Sequence, residues 1–152
     1  PIFRAGYRAV ITHGNGPVVG NILFRMARTS QELSPMPMDV CVSHSQGGMG
    51  YMLQQSLGNV LARHGMALGV SSVVTEVEVD PKDPAFTHPT KPVGKFFTEA
   101  DAKRIADETG WTFDEDSGRG WRRIVPSPMP LTILDAPAAS ALPMTRTMPV
   151  TA

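Results

Sequence analysis

In the stretch "ITHGNGPVVGN", residues 11–21, two apolar runs are separated by a loop that has one glycine on each side of an asparagine. Glycine loses more backbone freedom on folding than any other residue, so this spacing indicates a place that needs a bare, sharply turned backbone. Val10 and Ile11 indicate a buried strand over residues 7–13. Pro17 suits the first turn of a helix, where its missing N–H costs nothing. The stretch therefore predicts a strand, a glycine turn and a helix.

Two helices are predicted after the turn. Pro35 and Pro37 predict a loop between them, and Asp39 can cap the second helix. Apolar spacing predicts that this helix runs from about residue 46 to 64, with Gly65 as its stop. The apolar residues that define the two faces are Val18, Val19, Ile22, Leu23 and Met26, then Met49, Met52, Leu53, Leu57, Val60 and Leu61.

Residues 69–80 are rich in valine and predict a second strand. The order strand, helix, helix, strand favours an α/β sandwich with a mostly parallel sheet. Residues 1–80 are therefore interpreted as the α/β core.

The next part of the chain predicts a small lobe over residues 81–128. Four prolines exclude residues 81–97 from the core. Residues 98–110 predict a short amphipathic helix between Thr98 as cap and Gly110 as stop, and residues 111–125 predict a hairpin. Residues 129–152 are predicted to be a return segment followed by a disordered, proline-rich tail.

Composition narrows the classes of function. The chain has 152 residues, of which 41% are hydrophobic and 18% charged, and its 14 basic and 14 acidic residues cancel. This balance argues against nucleic acid as a partner. Cys41 alone cannot form an internal disulfide and fits a reducing compartment. No apolar run approaches the roughly 20 residues that cross a bilayer, and the start lacks a signal-peptide layout, so we expect a cytoplasmic protein without a membrane partner.

A glycine loop between a strand and a helix can bind an anion. Its backbone N–H groups and the helix dipole favour phosphate or carboxylate, Gly14 and Gly16 allow close approach, and Asn15 can hydrogen-bond the ligand. The alternative is a tight turn with no ligand. No Gly-Lys-Ser/Thr follows, which excludes a Walker loop, and the third glycine is misplaced for a dinucleotide fingerprint.

Four segments in this order resemble carbamate kinase of the amino-acid kinase superfamily, over about residues 7–135: "HGNGPVVGN", "SQGGMGYMLQQSLGN", "TEVEVDPKDPAFTHPTKPVGKFF" and "WRRIVPSPMP". The resemblance implies an open αβα sandwich with a protruding lobe, forming a homodimer. It also implies transfer of a phosphoryl group between ATP or ADP and carbamate or carbamoyl phosphate. In the family the N-terminal half holds the substrate, and the C-terminal half holds the nucleotide and Mg²⁺.

The resemblance also assigns site residues. The loop His13, Gly14, Asn15, Gly16 and Pro17 matches the family segment that helps to hold the substrate. Lys91 matches the lobe lysine that reaches the active site, where it would neutralise charge on the transferring phosphoryl group. Gln46 lies in a matched segment, either as a neighbour of the substrate loop or as a helix start. Gly50 is expected to allow close helix packing.

Two features of the family lie outside the matched segments. The first is an initial Gly-Gly-Asn loop. The second is the nucleotide half with its lysines, since no lysine follows Lys103 in this sequence. We expect a truncated or frame-shifted chain, with ATP or ADP and Mg²⁺ serving only the complete enzyme. Two functions stay open. The chain is the substrate half of a phosphotransferase, or it is an inactive remnant that binds small anions or a partner chain.

Other groups favour structural roles. Cys41 and His44 form half of a zinc site with no second pair at finger spacing, so no metal site is predicted. The basic cluster Arg119, Arg122 and Arg123 predicts a solvated hairpin face, with an anion site as the alternative. The methionines Met49, Met52 and Met66 are predicted to fill the core or a dimer interface. The acidic residues Glu76, Glu78 and Asp80 are predicted to contact solvent or the lobe, and magnesium binding is the alternative for these three.

Overall fold

The computed structural model describes residues 2–145 and 147–151. The strands are β1 (Ile11–Thr12), β2 (Gly69–Ser72), β3 (Val77–Val79), β4 (Lys91–Phe97), β5 (Phe113–Glu115), β6 (Trp121–Val125), β7 (Pro130–Ile133) and β8 (Thr147–Thr151). The helices are α1 (Gly16–Thr29), α2 (Met38–Arg63), α3 (Glu99–Thr109) and α4 (Ala136–Ala141), with short 3₁₀ turns at Phe3–Ala5, Pro84–Phe86 and Leu142–Thr145. The chain divides into two compact units. The first comprises residues 1–15, 42–78 and 132–152, and the second comprises residues 16–41 and 79–131.

The first unit is built on a parallel sheet with strand order β1-β8-β2 among the described residues. Val150 pairs with Ile11 on one side and Ser72 on the other. Its side chain is only 1% exposed. Leu61 of α2 is also buried. This arrangement confirms the predicted α/β class with a parallel sheet.

The prediction of a disordered tail is wrong for residues 136–145 and 147–151, which include α4 and the central strand β8. Arg146 and Ala152 lie outside the described residues. The small residues, prolines and lack of periodicity conceal this strand. Pro149 lies within it although proline cannot donate a ladder hydrogen bond. Burial of β8 between β1 and β2 compensates for the weak intrinsic preference of its residues for a strand.

The second unit combines an antiparallel sheet, order β4-β6-β5 within the described residues, with α1 and α3. A Cβ added to Gly20 of α1 would lie 2.9 Å from the Gly94 Cα of β4, so helix and strand approach at backbone distance. Gly94 has a φ of 77°, a conformation that suits glycine. The predicted helix α3 and hairpin β5–β6 are confirmed, with the Thr98 hydroxyl accepting from the Asp101 N–H.

Several predicted boundaries are wrong. The strand predicted over residues 7–13 is reduced to β1, and Val10 is 49% exposed. The strand predicted over residues 69–80 is two strands, β2 and β3, in different sheets. The helix predicted from residue 46 begins at Met38, which places Asp39 in its first turn. Residues 91–97 belong to the proline-rich segment that is predicted to lie outside the core, but they form β4 with Pro92 inside it.

The expected domain boundaries at residues 80 and 128 stay predictions. The structure groups α1 with residues 79–131, and the division between the units runs through α2 after Cys41. Met52 is 58% exposed and Val60 39% exposed. The apolar face expected along α2 is therefore only partly buried within this chain.

The Val150→Ala substitution should lower the free energy of unfolding by about 2 kcal/mol, because it removes buried methyl groups and leaves a cavity beside the central strand. Urea denaturation followed by circular dichroism measures the change. Val10→Ala, at an exposed position before β1, is the matched control and should change stability by less than about 0.5 kcal/mol. Equal effects of the two substitutions would show that β8 is not buried in the sheet.

Candidate functional site

The carboxyl edge of the parallel sheet gathers the loops of the first unit. The His13 N–H donates to the Thr151 carbonyl oxygen at 3.0 Å, just where β1 ends. The Val73 N–H donates to the Val150 carbonyl oxygen at 2.8 Å, just where β2 ends. Open α/β sheets bind ligands in the crevice outside the carboxyl ends of their strands. This edge is therefore the candidate site, and the loop that begins at His13 lies on it.

Ser45 holds the loop that follows β1. The Asn15 side-chain Nδ2 donates to the Ser45 Oγ at 2.8 Å, and that hydroxyl donates to the Val42 carbonyl oxygen at 2.6 Å. Ser45 is only 1% exposed, so a buried helical hydroxyl fixes the Asn15 amide. This bond uses one of the two N–H groups of the Asn15 amide. The other N–H group and the amide oxygen are left to bind a ligand.

Gln46 holds the loop that follows β2. Its Oε1 accepts from the Thr75 backbone N–H at 2.8 Å and from the Thr75 hydroxyl at 3.2 Å, and its Nε2 donates to the Thr75 carbonyl oxygen at 3.3 Å. The interpretation of Gln46 as a helix start is wrong, because α2 begins eight residues earlier at Met38. Both polar atoms of the buried Gln46 amide are engaged by Thr75, so this side chain positions a loop at the edge.

The two loop glycines face open space. A Cβ added to Gly14 or to Gly16 would find no neighbour within 4 Å among the described residues, and neither glycine has a positive φ. The fold itself therefore does not require glycine at either position. Gly16 begins α1 and Pro17 follows, as predicted for a helix start. The His13 Nδ1 lies 3.4 Å from the Gly14 carbonyl oxygen.

Lys91 belongs to the second unit and is the first residue of β4, opposite Val125 of β6. Its side chain is exposed. Within residues 2–145 and 147–151, its ammonium group makes no hydrogen bond or ion pair. Lys91 is thus a cation on an ordered strand that is available to an anion.

The other candidate groups are explained by packing and pairing. Cys41 is fully buried while His44 of the same helix is exposed, and the described residues contain no group of three or more His, Cys, Asp or Glu side chains that could hold a metal ion. Arg119 matches the predicted solvated face. Arg122 does not, because it pairs with Asp116 at 3.0 Å and donates to the Gly94 carbonyl oxygen at 3.2 Å. These two arginines lower the pKa of the Asp116 carboxyl, Arg122 most strongly.

Gly50 and Glu76 also have structural partners. A Cβ on Gly50 would lie 2.6 Å from the Ser72 Oγ, so the expected close packing exists, but against β2. The Glu76 backbone N–H donates to the Asp135 carboxylate at 2.6 Å. Sequence reasoning missed this contact together with the roles of Ser45 and Thr75. Ser45 could have been found as the neighbour of Gln46 in the quoted segment, whereas Thr75 and Asp135 carry no local signal.

The fold defines the class: an α/β protein with a parallel sheet, in which the first strand continues along the chain into a glycine loop and then a helix. The chain is 53% identical over 131 residues to a carbamate kinase of Pyrococcus furiosus. It is 46% identical over 142 residues to carbamate kinase 1 of Enterococcus faecium, and 50% identical over 144 residues to the carbamate kinase-like protein YahI of Escherichia coli. These matches cover 85%, 93% and 93% of this chain.

Solved structures of carbamate kinases are also similar to this chain. A carbamate kinase from Giardia lamblia bound to citric acid has a TM-score of 0.86 at 42% identity, and the match covers 98% of this chain and 48% of that one. The same enzyme bound to AMP-PNP has a TM-score of 0.83 at 41% identity, with 98% and 48% coverage. No family model matches the chain.

The chain is therefore homologous to carbamate kinases over most of its own length. It spans 42%, 46% and 45% of the length of the three curated relatives above, less than half of each. No helix among the described residues is long and apolar enough to cross a membrane.

Replacing Gln46 by alanine should lower the free energy of unfolding by about 1–3 kcal/mol, because the half-buried Thr75 loses three hydrogen bonds to the Gln46 amide. Amide hydrogen exchange should show faster exchange at Thr75. Gln55→Ala is the matched control, since Gln55 is an exposed residue of the same helix whose amide makes only a long, 3.5 Å contact with the Tyr51 hydroxyl. Unchanged exchange at Thr75 would show that Gln46 does not hold this loop.

Proposed function

We propose that this chain carries the substrate half of a carbamate kinase-like phosphotransferase. The reaction moves a phosphoryl group between ATP or ADP and carbamate or carbamoyl phosphate. The carboxyl edge of the first unit binds the anionic substrate, and Lys91 has the charge-neutralising role that the resemblance implies. Homology to carbamate kinases supports the reaction, and the arrangement of the glycine loop supports the binding role.

The observation that carries the proposal is the open space around Gly14 and Gly16. A protein requires glycine where a positive φ or a close neighbour leaves no room for a side chain. Neither reason applies to these two residues among the described part of the chain. Because Gly14 lies in the loop at the carboxyl edge of the sheet, this open space leaves the loop backbone accessible to a ligand.

Each neighbouring residue has a distinct proposed role. His13 and Pro17 bound the loop, and Asn15 offers its remaining amide groups to the substrate while Ser45 fixes its orientation. Gln46 acts as a positioning residue, because Thr75 engages its amide. Fixed donors cost little reorganisation when the substrate binds, which is the main way that proteins assist phosphoryl transfer.

Nucleotide and Mg²⁺ are expected to serve only the complete enzyme. One structural neighbour is bound to AMP-PNP, and the resemblance assigns the nucleotide to the half of the family sequence that this chain does not match. The described acidic residues do not form a group that fits a metal ion. No step through Mg²⁺ or nucleotide is therefore assigned to residues of this chain.

Gly14→Ala should weaken binding of carbamoyl phosphate at least tenfold, because the new methyl group occupies the space of the ligand. The free energy of unfolding should fall by less than about 0.5 kcal/mol, since the methyl group meets no protein atom. Isothermal titration calorimetry with carbamoyl phosphate measures the first quantity and urea denaturation the second.

Gly58→Ala is the matched control, because Gly58 of α2 also has open space around it. This control should bind carbamoyl phosphate as the parent chain does. Equal affinities of the parent chain, Gly14→Ala and Gly58→Ala would remove the glycine loop from the substrate site.

Lys91→Ala should reduce ATP formation from ADP, Mg²⁺ and carbamoyl phosphate at least 100-fold, because a charge-neutralising group is lost from the transition state. A coupled luciferase assay on the purified chain measures turnover, and circular dichroism checks folding. Lys82→Ala, at an exposed lysine of the same unit, is the control and should leave turnover unchanged. An active preparation whose rate does not depend on Lys91 would exclude this lysine from the mechanism.

The alternative function is a catalytically inactive remnant that binds small anions or a partner chain. Carbamoyl phosphate binding without ATP formation would select the remnant, and lysine-dependent ATP formation would select the enzyme.

The proposal extends to assembly and location. We expect a homodimer in the cytoplasm, as the resemblance and the single cysteine imply. Analytical ultracentrifugation of the full chain tests the first expectation, and fractionation of the source cells tests the second.

A further inference from the structure

The second unit contains a cavity of about 800 Å³ that is distinct in its residues from the glycine loop. Its walls come from α1, the loop before α2, β4, α3 and β6. Pockets for small organic molecules have volumes of roughly 300–1,000 Å³. The cavity is therefore large enough for such a molecule.

Two cations without carboxylate partners line this cavity. The Lys95 Nζ lies 4.4 Å from the centroid of the Phe24 ring and 4.8 Å from that of Phe97. The Arg123 Cζ lies 3.8 Å from the centroid of the Trp111 ring. Neither cation has an acidic partner among the described residues. Aromatic faces attract both cations but leave their positive charge uncompensated.

The acidic residues of the cavity are already paired. Arg104 contacts Glu108 at 2.9 Å and Asp101 at 3.5 Å. Arg28, Lys95, Arg104 and Arg123 together outnumber Asp101 and Glu108 along the cavity wall. The cavity therefore has an excess of positive charge.

Arg123 lacks a counter-charge in a half-buried place. Burial lowers the pKa of its guanidinium group. Cys41 lies near enough to interact with it, but burial and the Asp39 carboxylate raise the pKa of the Cys41 thiol, so the thiol is neutral at pH 7. A partly desolvated cation without an anion is costly. An anionic ligand would offset that cost.

We propose that this cavity binds a small organic anion with a flat apolar body. Its carboxylate or phosphate group lies between Lys95 and Arg123, and its body packs against the rings of Phe24, Phe97 and Trp111. The inference uses residues of the second unit alone and does not depend on the proposed phosphotransferase activity.

The first test compares three probes of one shape on the full chain by isothermal titration calorimetry: 1-naphthoate, 1-naphthyl phosphate and the neutral 1-naphthalenemethanol. At least one anion should bind about tenfold or more tightly than the neutral probe, and raising the salt concentration should reduce the difference. The tighter of the two anions identifies the head group. No anion preference, or no binding of any probe, would overturn the proposal.

The second test locates the site. Arg123→Gln and Lys95→Gln should each weaken binding of the preferred anion about fivefold or more and leave the neutral probe unchanged. Arg119→Gln is the matched control, because Arg119 belongs to the same hairpin and stacks on Phe96 at 5.1 Å without lining the cavity. If Arg123→Gln fails to fold, the exposed Lys95 still provides the test. Anion affinity unchanged in Lys95→Gln, or reduced equally in Arg119→Gln, would overturn the assignment.

Discussion

Backbone pairing of β8 with β1 and β2 is the interaction on which the first unit depends. β1 has only two residues and β2 has four, and the described structure pairs each of them with β8. Strands this short do not form a stable sheet alone. The nearly complete burial of Met148 and Val150 supplies apolar contact on the strand that joins them. The same pairing aligns the carboxyl ends of the strands and so creates the edge where the loops lie.

Two adjacent polar residues of α2 then fix that edge. Ser45 and Gln46 are both buried; Ser45 accepts a hydrogen bond from Asn15, and Gln46 is hydrogen-bonded to Thr75. Burying a polar side chain is unfavourable unless it is hydrogen-bonded, so each bond is needed for stability as well as for geometry. A chain that only had to fold could use apolar residues here. Their polar character is consistent with an edge that must hold its loops in one arrangement for a ligand.

In the second unit a helix and a strand pack closely together, and the cavity wall has more cations than carboxylates. Gly20 and Gly94 let α1 and β4 meet at backbone distance. The hairpin uses its arginines in three ways. Arg119 lies at the surface with Asp116, Arg122 joins that carboxylate to the backbone of β4, and Arg123 stacks on Trp111 in the cavity wall. One basic cluster thus contains a solvated charge, a structural pair and an uncompensated cation, which a count of charges cannot separate.

Local sequence determined the elements whose signals are local. The loop and helix start at residues 13–17, the capped helix α3 and the hairpin β5–β6 follow from glycine, proline and capping residues that act on their near neighbours, and all three are found. The quoted segments also indicated the homology to carbamate kinases. Tertiary structure alone decided the place of β8, because burial between two strands outweighs the poor strand preference of its proline. It likewise decided the partners of Ser45 and Gln46, because Asn15 and Thr75 lie 30 and 29 positions away along the chain. Arg123 stacks on Trp111, and no spacing in the sequence records which of these residues will meet.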